Sequence, residues 1–153
     1  MDLSNRSKKV IYDEIRQDWV RATPEEVVRQ QWLKRMVGQL GYPRELIVVE
    51  KTLKELPHLA FCEVANRRLD ILCYGKEVQG SLFPLLLVEC KEGLLSGDAL
   101  NQVIGYNDHV GAYFVAALGK DKALFRYFDA EKNQFIFCQF LPPFKELVQW
   151  VNR

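Results

Sequence analysis

The sequence predicts a mixed α/β (α+β) domain in which helices flank a central β-sheet. Three observations carry that reading. Apolar residues recur at helical spacing over residues 23–40, 96–108 and 144–151, the period shortens to that of a strand after Leu46, and Leu82–Cys90 is an almost unbroken apolar run of the kind found in a strand covered on both faces. The chain has 153 residues, 48% of them hydrophobic and 27% charged, with no repeat or biased tract, which is enough for one packed core.

Residues 1–22 are polar, with apolar positions at Val10, Ile11, Ile15, Trp19 and Val20 that fit a short amphipathic helix or an arm. A single domain is expected over residues 23–153. Its first helix opens at Thr23-Pro24-Glu25-Glu26. Thr23 suits the N-cap, Pro24 the first helical position, and Glu26 completes a capping box. Val28, Trp32, Met36 and Leu40 then repeat every fourth residue, and Gly41-Tyr42-Pro43 ends the helix.

Ile47, Val48, Val49 and Leu53 read as a strand, followed by strands over Ala60–Val64 and Leu69–Tyr74, a polar connection from Gly75 to Ser81, and the apolar strand Leu82–Cys90. Ala99, Val103, Tyr106 and Val110 place a helix over Ser96–Asp108. Three further strands, Ala112–Leu118, Ala123–Asp129 and Gln134–Phe140, are separated by turn residues, and Pro142-Pro143 opens a last amphipathic helix.

Composition excludes several functions. No stretch of roughly 20 apolar residues exists to span a membrane, and the first ten residues lack the apolar segment of a secretory signal, so a cytoplasmic protein is expected. Cys62, Cys73, Cys90 and Cys138 have no zinc or redox spacing and read as buried free thiols. The net charge of +1 argues against nucleic-acid binding by long-range attraction, so any contact with phosphates is local. His58 and His109 stand in no nucleophile–base spacing, and the glycines form no phosphate-cradling loop.

Two anomalies carry chemistry. Asp70 is a carboxylate in an otherwise apolar strand, which is costly unless it is paired or binds a metal. Glu89 and Lys91 close the most apolar run in the chain, and their spacing of two makes them neighbours on one side of the strand. A Glu-x-Lys spacing alone arises about once by chance in such a chain, so the context matters. A hairpin between the two strands brings Asp70 beside Glu89. Such a group suits metal-assisted phosphodiester hydrolysis, in which Asp70, Glu89 and the backbone carbonyl of Cys90 ligate Mg²⁺ (or Mn²⁺) and Lys91 orients the attacking water or stabilises the transition state. The bland alternative is a solvated Glu–Lys pair at a strand end with Asp70 capping a turn.

With Asp70 and Glu89-Cys90-Lys91 in place, the chain resembles the PD-(D/E)xK nuclease superfamily, with Leu69-Asp70 where Pro-Asp is usual. More specifically it resembles the N-terminal nuclease domain of type I restriction enzyme R subunits, through residues 23–30 (Thr-Pro-Glu-Glu-Val-Val-Arg-Gln), Gly41-Tyr42-Pro43, residues 67–71 (Arg-Arg-Leu-Asp-Ile), residues 87–91 (Leu-Val-Glu-Cys-Lys) and residues 102–106 (Gln-Val-Ile-Gly-Tyr). The resemblance implies a restriction-endonuclease-like core with a central mixed sheet, and a Mg-dependent DNA endonuclease-like activity. It also implies a first-helix Glu, best matched by Glu26 and less well by Glu25, and a helix carrying Gln102 and Tyr106 beside the metal site.

Glu26 can equally serve the helix N-terminus, and Tyr106 and Gln102 can be core and solvated helix residues respectively. Arg29 can brace the acidic cluster and Arg67 and Arg68 can contact phosphate, and each can equally be an ordinary surface arginine. Two departures stand out: Ala116-Ala117-Leu118-Gly119 replaces a Thr-Asn-Gly-like strand end, and no helicase motor is expected in the chain. DNA is the expected partner. Cutting both strands calls for a homodimer or for restriction or helicase subunits. The competing expectation is a catalytically silent nuclease-fold module that binds DNA or protein.

Overall fold

The computed structural model describes residues 9–60 and 67–152. Largely apolar runs build a six-stranded sheet in the order β3-β4-β5-β6-β7-β8: β3 (Ile47–Val49), β4 (Ile71–Lys76), β5 (Leu82–Cys90), β6 (Phe114–Gly119), β7 (Lys122–Asp129) and β8 (Gln134–Cys138). Only β5 and β6 pair in parallel; the other neighbours are antiparallel, so the sheet is mixed. Parallel pairing needs a crossover, and helix α2 (Gly97–Val110) supplies it. It stops at Gly111, whose φ of +73° suits glycine, and Asn107 brackets Ala112 with bonds of 2.7 and 2.9 Å.

The sheet separates two cores. Helix α1 (Pro24–Gly38) buries Val28, Trp32, Leu33 and Met36 against Ile71, Cys73, Val88 and Cys90, where Leu147 of α3 (Phe144–Val151) joins them. On the other face Leu72, Leu87, Val115 and Ala117 meet Ala99, Leu100 and Val103 of α2, together with Leu53, Leu56 and Leu59 from two 3-10 turns. This α+β architecture, with helices on both faces of a mixed sheet, is consistent with a restriction-endonuclease-like core.

Trp32 fixes α1 over one end of the sheet. Its indole N–H donates to the Gly119 carbonyl at 2.7 Å, at the end of β6 that also accepts the Lys91 N–H through Leu118. Trp32→Phe removes that bond and is expected to cost about 0.5–1.5 kcal/mol, read as a lowered urea midpoint at unchanged slope.

Three expectations are corrected. Of the N-terminal segment, expected as a short amphipathic helix or an arm, the described part forms no helix but a hairpin, β1 (Val10–Asp13) with β2 (Asp18–Arg21). The Asp13 carboxylate accepts the N–H groups of Ile15 and Arg16, Gln17 takes φ of +54°, and Tyr12 meets Trp19 edge to face at 5.3 Å. Second, only half of the capping box forms. Thr23 accepts the Glu26 N–H at 3.2 Å, but the Glu26 carboxylate is taken by Arg16, Arg29 and Gln30. Third, Asp70 sits at a bend one residue before β4. Leu69 N–H and Asp70 C=O there bond Lys51 and Glu50 instead of a continuing strand. Of the strand expected over Ala60–Val64, residues 61–64 lie outside the described residues, as does Cys62. Cys73 and Cys90 are buried free thiols, and Cys138 is a half-buried one. Among the described residues no helix is long and apolar enough to cross a membrane.

Candidate active site

The β4–β5 register, Ile71 opposite Val88 and Leu72 opposite Leu87, places Asp70 opposite Glu89 when continued by one residue. Asp70 Oδ2 accepts the Cys90 N–H at 2.7 Å. The N–H and C=O of a strand residue project to the same side, so the Cys90 carbonyl faces β4 as well. The Cys90 side chain is core, its thiol pushed well above the usual range first by burial and then by Asp70. Lys91 Nζ stands 3.4 Å from Glu89 Oε1. Asp70, Glu89 and Lys91 thus gather at one end of the sheet. Beside them runs the end of β6, where Ala117 and Leu118 pair with Glu89 and Cys90 and bring no polar side chain.

Helix α1 contributes an arginine that the whole cluster shares. Arg29 is 3% exposed and pairs with Asp70 at 2.9 Å, with Glu50 at 2.5 Å, with Glu25 at 3.5 Å and, through its other terminal nitrogen, with Glu26. Burial opposes its charge, but the carboxylates of Asp70, Glu50 and Glu26 outweigh that, and the guanidinium is held above its usual value. Glu26 is also bonded by Arg16 at 2.7 Å and Gln30 at 3.0 Å, which ties the N-terminal hairpin to α1.

Glu25 is the first-helix carboxylate in electrostatic contact with the centre. It is raised above its usual range by burial first and then by Asp70, while Arg29 and Lys91 work in the opposite direction. The sequence motif favours Glu26, whose oxygens are instead occupied by Arg16, Arg29 and Gln30. Glu50 is the residue that sequence reasoning misses. Its signal is the one that marks Glu89: an acid closing the apolar strand Ile47–Val49. Its φ of +54° is uncommon for a residue with a side chain, and its N–H bonds the Asp70 carbonyl at 3.1 Å.

Glu89 is a strongly perturbed carboxylate of the centre. It is buried, and its carboxyl is pushed up to about 7, first by loss of water and then by Asp70, with Lys91 only partly compensating. Gln102 and Tyr106 lie on α2 as expected, joined at 3.4 Å, and the Arg67 guanidinium stacks over the Tyr106 ring at 5.2 Å. Gln102 is exposed and Tyr106 half-buried against the α2 core. Among the described residues neither bonds Asp70, Glu89 or Lys91. Arg67 precedes Asp70 by three residues in the chain. Arg68 is mostly exposed and lies 3.5 Å from Glu50.

The donor set can be tested against a divalent ion. Among the described residues no group of three or more His, Cys, Asp or Glu side chains is arranged to hold a metal. What is present is two facing carboxylates, one of them short of countercharge, beside a main-chain carbonyl. That set fits Mg²⁺, which takes one or two carboxylates and keeps several waters, and does not fit an all-protein cage.

A family model described as the N terminus of type I restriction enzyme R protein matches residues 24–142. No curated protein and no solved structure matches the chain.

Proposed function

Because the chain belongs to the type I restriction enzyme R protein N-terminal family, we propose that it is a Mg²⁺-dependent DNA endonuclease-like phosphodiester hydrolase centred on Asp70, Glu89 and Lys91. The observation that carries this reading is the buried Glu89, facing Asp70 and 3.4 Å from the Lys91 ammonium. Such a perturbed carboxylate beside a fixed cation at a strand end is costly for stability and useful for chemistry.

Asp70, Glu89 and the Cys90 carbonyl would hold the Mg²⁺ (or Mn²⁺). When bound, the ion lowers the pKa of a coordinated water and neutralises charge on the phosphate. Lys91 holds the attacking water through its ammonium and offsets the negative charge that grows on the phosphoryl oxygens. Arg29 fixes the Asp70 carboxylate from the α1 side, and Glu26 acts through Arg29 by holding its second terminal nitrogen. Gln102, Tyr106 and the stacked Arg67 flank the centre and meet the DNA backbone, with Arg68 as a further phosphate contact. Cutting both strands requires a second copy of the chain or a partner subunit.

Supercoiled plasmid incubated with purified protein tests this. Nicked and linear products are expected with Mg²⁺ or Mn²⁺ and not with EDTA, and Asp70→Ala should slow their appearance about 100-fold or more. If the wild type leaves plasmid intact in both metals but still retards it on a gel, the silent DNA-binding module replaces the enzyme.

A further inference from the structure

We propose that Arg29 takes the place of a second divalent cation, so that the centre holds one metal ion per chain and not two. This rests on the metal-dependent reading above. Three carboxylates from three separate chain segments converge on a single nitrogen: Arg29 Nη2 lies 2.5 Å from Glu50, 2.9 Å from Asp70 and 3.5 Å from Glu25. They surround Nη2 as ligands surround an ion. The spacings are those of N–H···O bonds and exceed the roughly 2.0–2.1 Å of Mg²⁺–oxygen contacts, so with Arg29 in place these oxygens are not closed around a metal.

The arginine itself shows what draws it there. Its side chain is 3% exposed, and its Nε is buried without a hydrogen-bond partner, while both terminal nitrogens are bonded to carboxylates. An ordinary structural arginine satisfies its inner N–H as well as its tip. Here the tip is placed by charge at the expense of Nε. A guanidinium does not deprotonate in proteins, so this positive charge is permanent.

Asp70 connects the two halves of the cluster. One of its oxygens takes Arg29, the other takes the Cys90 N–H, and its charge acts on Glu89. In two-metal phosphodiesterases the ions stand roughly 3.5–4 Å apart and clamp the attacking and leaving oxygens. In this chain Arg29 supplies positive charge on one flank of Asp70, and the Glu89 flank is left for the ion. The consequence is a fixed monovalent charge where a second dication would otherwise be recruited from solution.

Mn²⁺ titration, read by calorimetry and by the electron paramagnetic resonance signal of free Mn²⁺, counts the sites. The wild type should bind one Mn²⁺ per chain. Arg29→Ser should bind two, and Arg29→Lys, which keeps a cation, should bind one. Glu50→Gln removes a carboxylate from the Arg29 flank only, and should leave the affinity of the single Mn²⁺ within about twofold. Two Mn²⁺ on the wild type, a folded Arg29→Ser protein with only one, or a loss of about tenfold or more in Glu50→Gln would each overturn the inference while leaving a metal-dependent centre standing. No Mn²⁺ on the wild type would instead overturn the metal-dependent reading itself. The wild-type count and Glu50→Gln decide the matter even if Arg29→Ser does not fold.

Discussion

Glu89→Gln should stabilise the metal-free protein above pH 7 by about 1–3 kcal/mol, a gain of roughly 2–4 °C in melting temperature for each kcal/mol in a chain of this size. Burial pushes the folded carboxyl up to about 7 from its ordinary 4.5. Between those two pH values the folded state keeps a proton that the unfolded chain has released. Wild-type stability therefore falls as pH rises from about 4.5 to about 7 and levels off above. Glutamine has no proton to lose, so the variant should be flat through that window and should match the wild type only at its acid end. Saturating Mg²⁺ should raise the wild-type melting temperature more at pH 8 than at pH 5, because the ion binds the ionised carboxylate, and should do little for the variant. Superimposable melting curves of the two proteins at pH 8 would mean that Glu89 bears no uncompensated charge.

Lys91→Ala should lower the rate of metal-dependent cleavage by about 10²–10³-fold, the usual consequence of removing one transition-state charge donor. The loss should fall on turnover and not on folding. Lys91 keeps a third of its side-chain exposure, and partly exposed ion pairs contribute about 1 kcal/mol or less. The same change removes the cation that draws Glu89 downward. The pH at which Mn²⁺ binding is half complete should consequently move upward, while affinity at high pH is retained. Lys91→Ala protein that cleaves as fast as wild type, or that no longer binds Mn²⁺ at pH 9, would remove Lys91 from the role given to it.

Much of the fold is written locally. β5 occupies Leu82–Cys90 as read from sequence because a polar turn and a charged end bound an apolar run that neither helix period nor strand alternation interrupts. α3 follows Pro143 and α1 follows Thr23 for similar local reasons. The N-terminal hairpin was illegible because Val10, Ile11, Ile15 and Trp19 fit either period, and what decides between them is a side-chain turn at Asp13 and a Tyr12–Trp19 contact.

The site divides in the same way. Glu89 and Lys91 are two apart on one strand, so their proximity is local. Asp70 meets Arg29 across 41 positions, and only the packing of α1 on the sheet brings them together. The choice between Glu25 and Glu26 is a matter of helix rotation, since consecutive helical residues point about 100° apart. That rotation is set by burial of Val28, Trp32 and Met36 against strands far along the chain. Glu50 became part of the cluster through a left-handed backbone turn that no periodicity announces.

Anomalous scattering from crystals soaked in Mn²⁺ tests the central claim most directly. The account predicts one peak per chain, in contact with Asp70, Glu89 and the Cys90 carbonyl, with Arg29 still bonded to Asp70. A cluster without a peak under conditions in which the protein binds Mn²⁺ elsewhere, or a peak on Glu25 and Glu50 with Arg29 displaced, would contradict it.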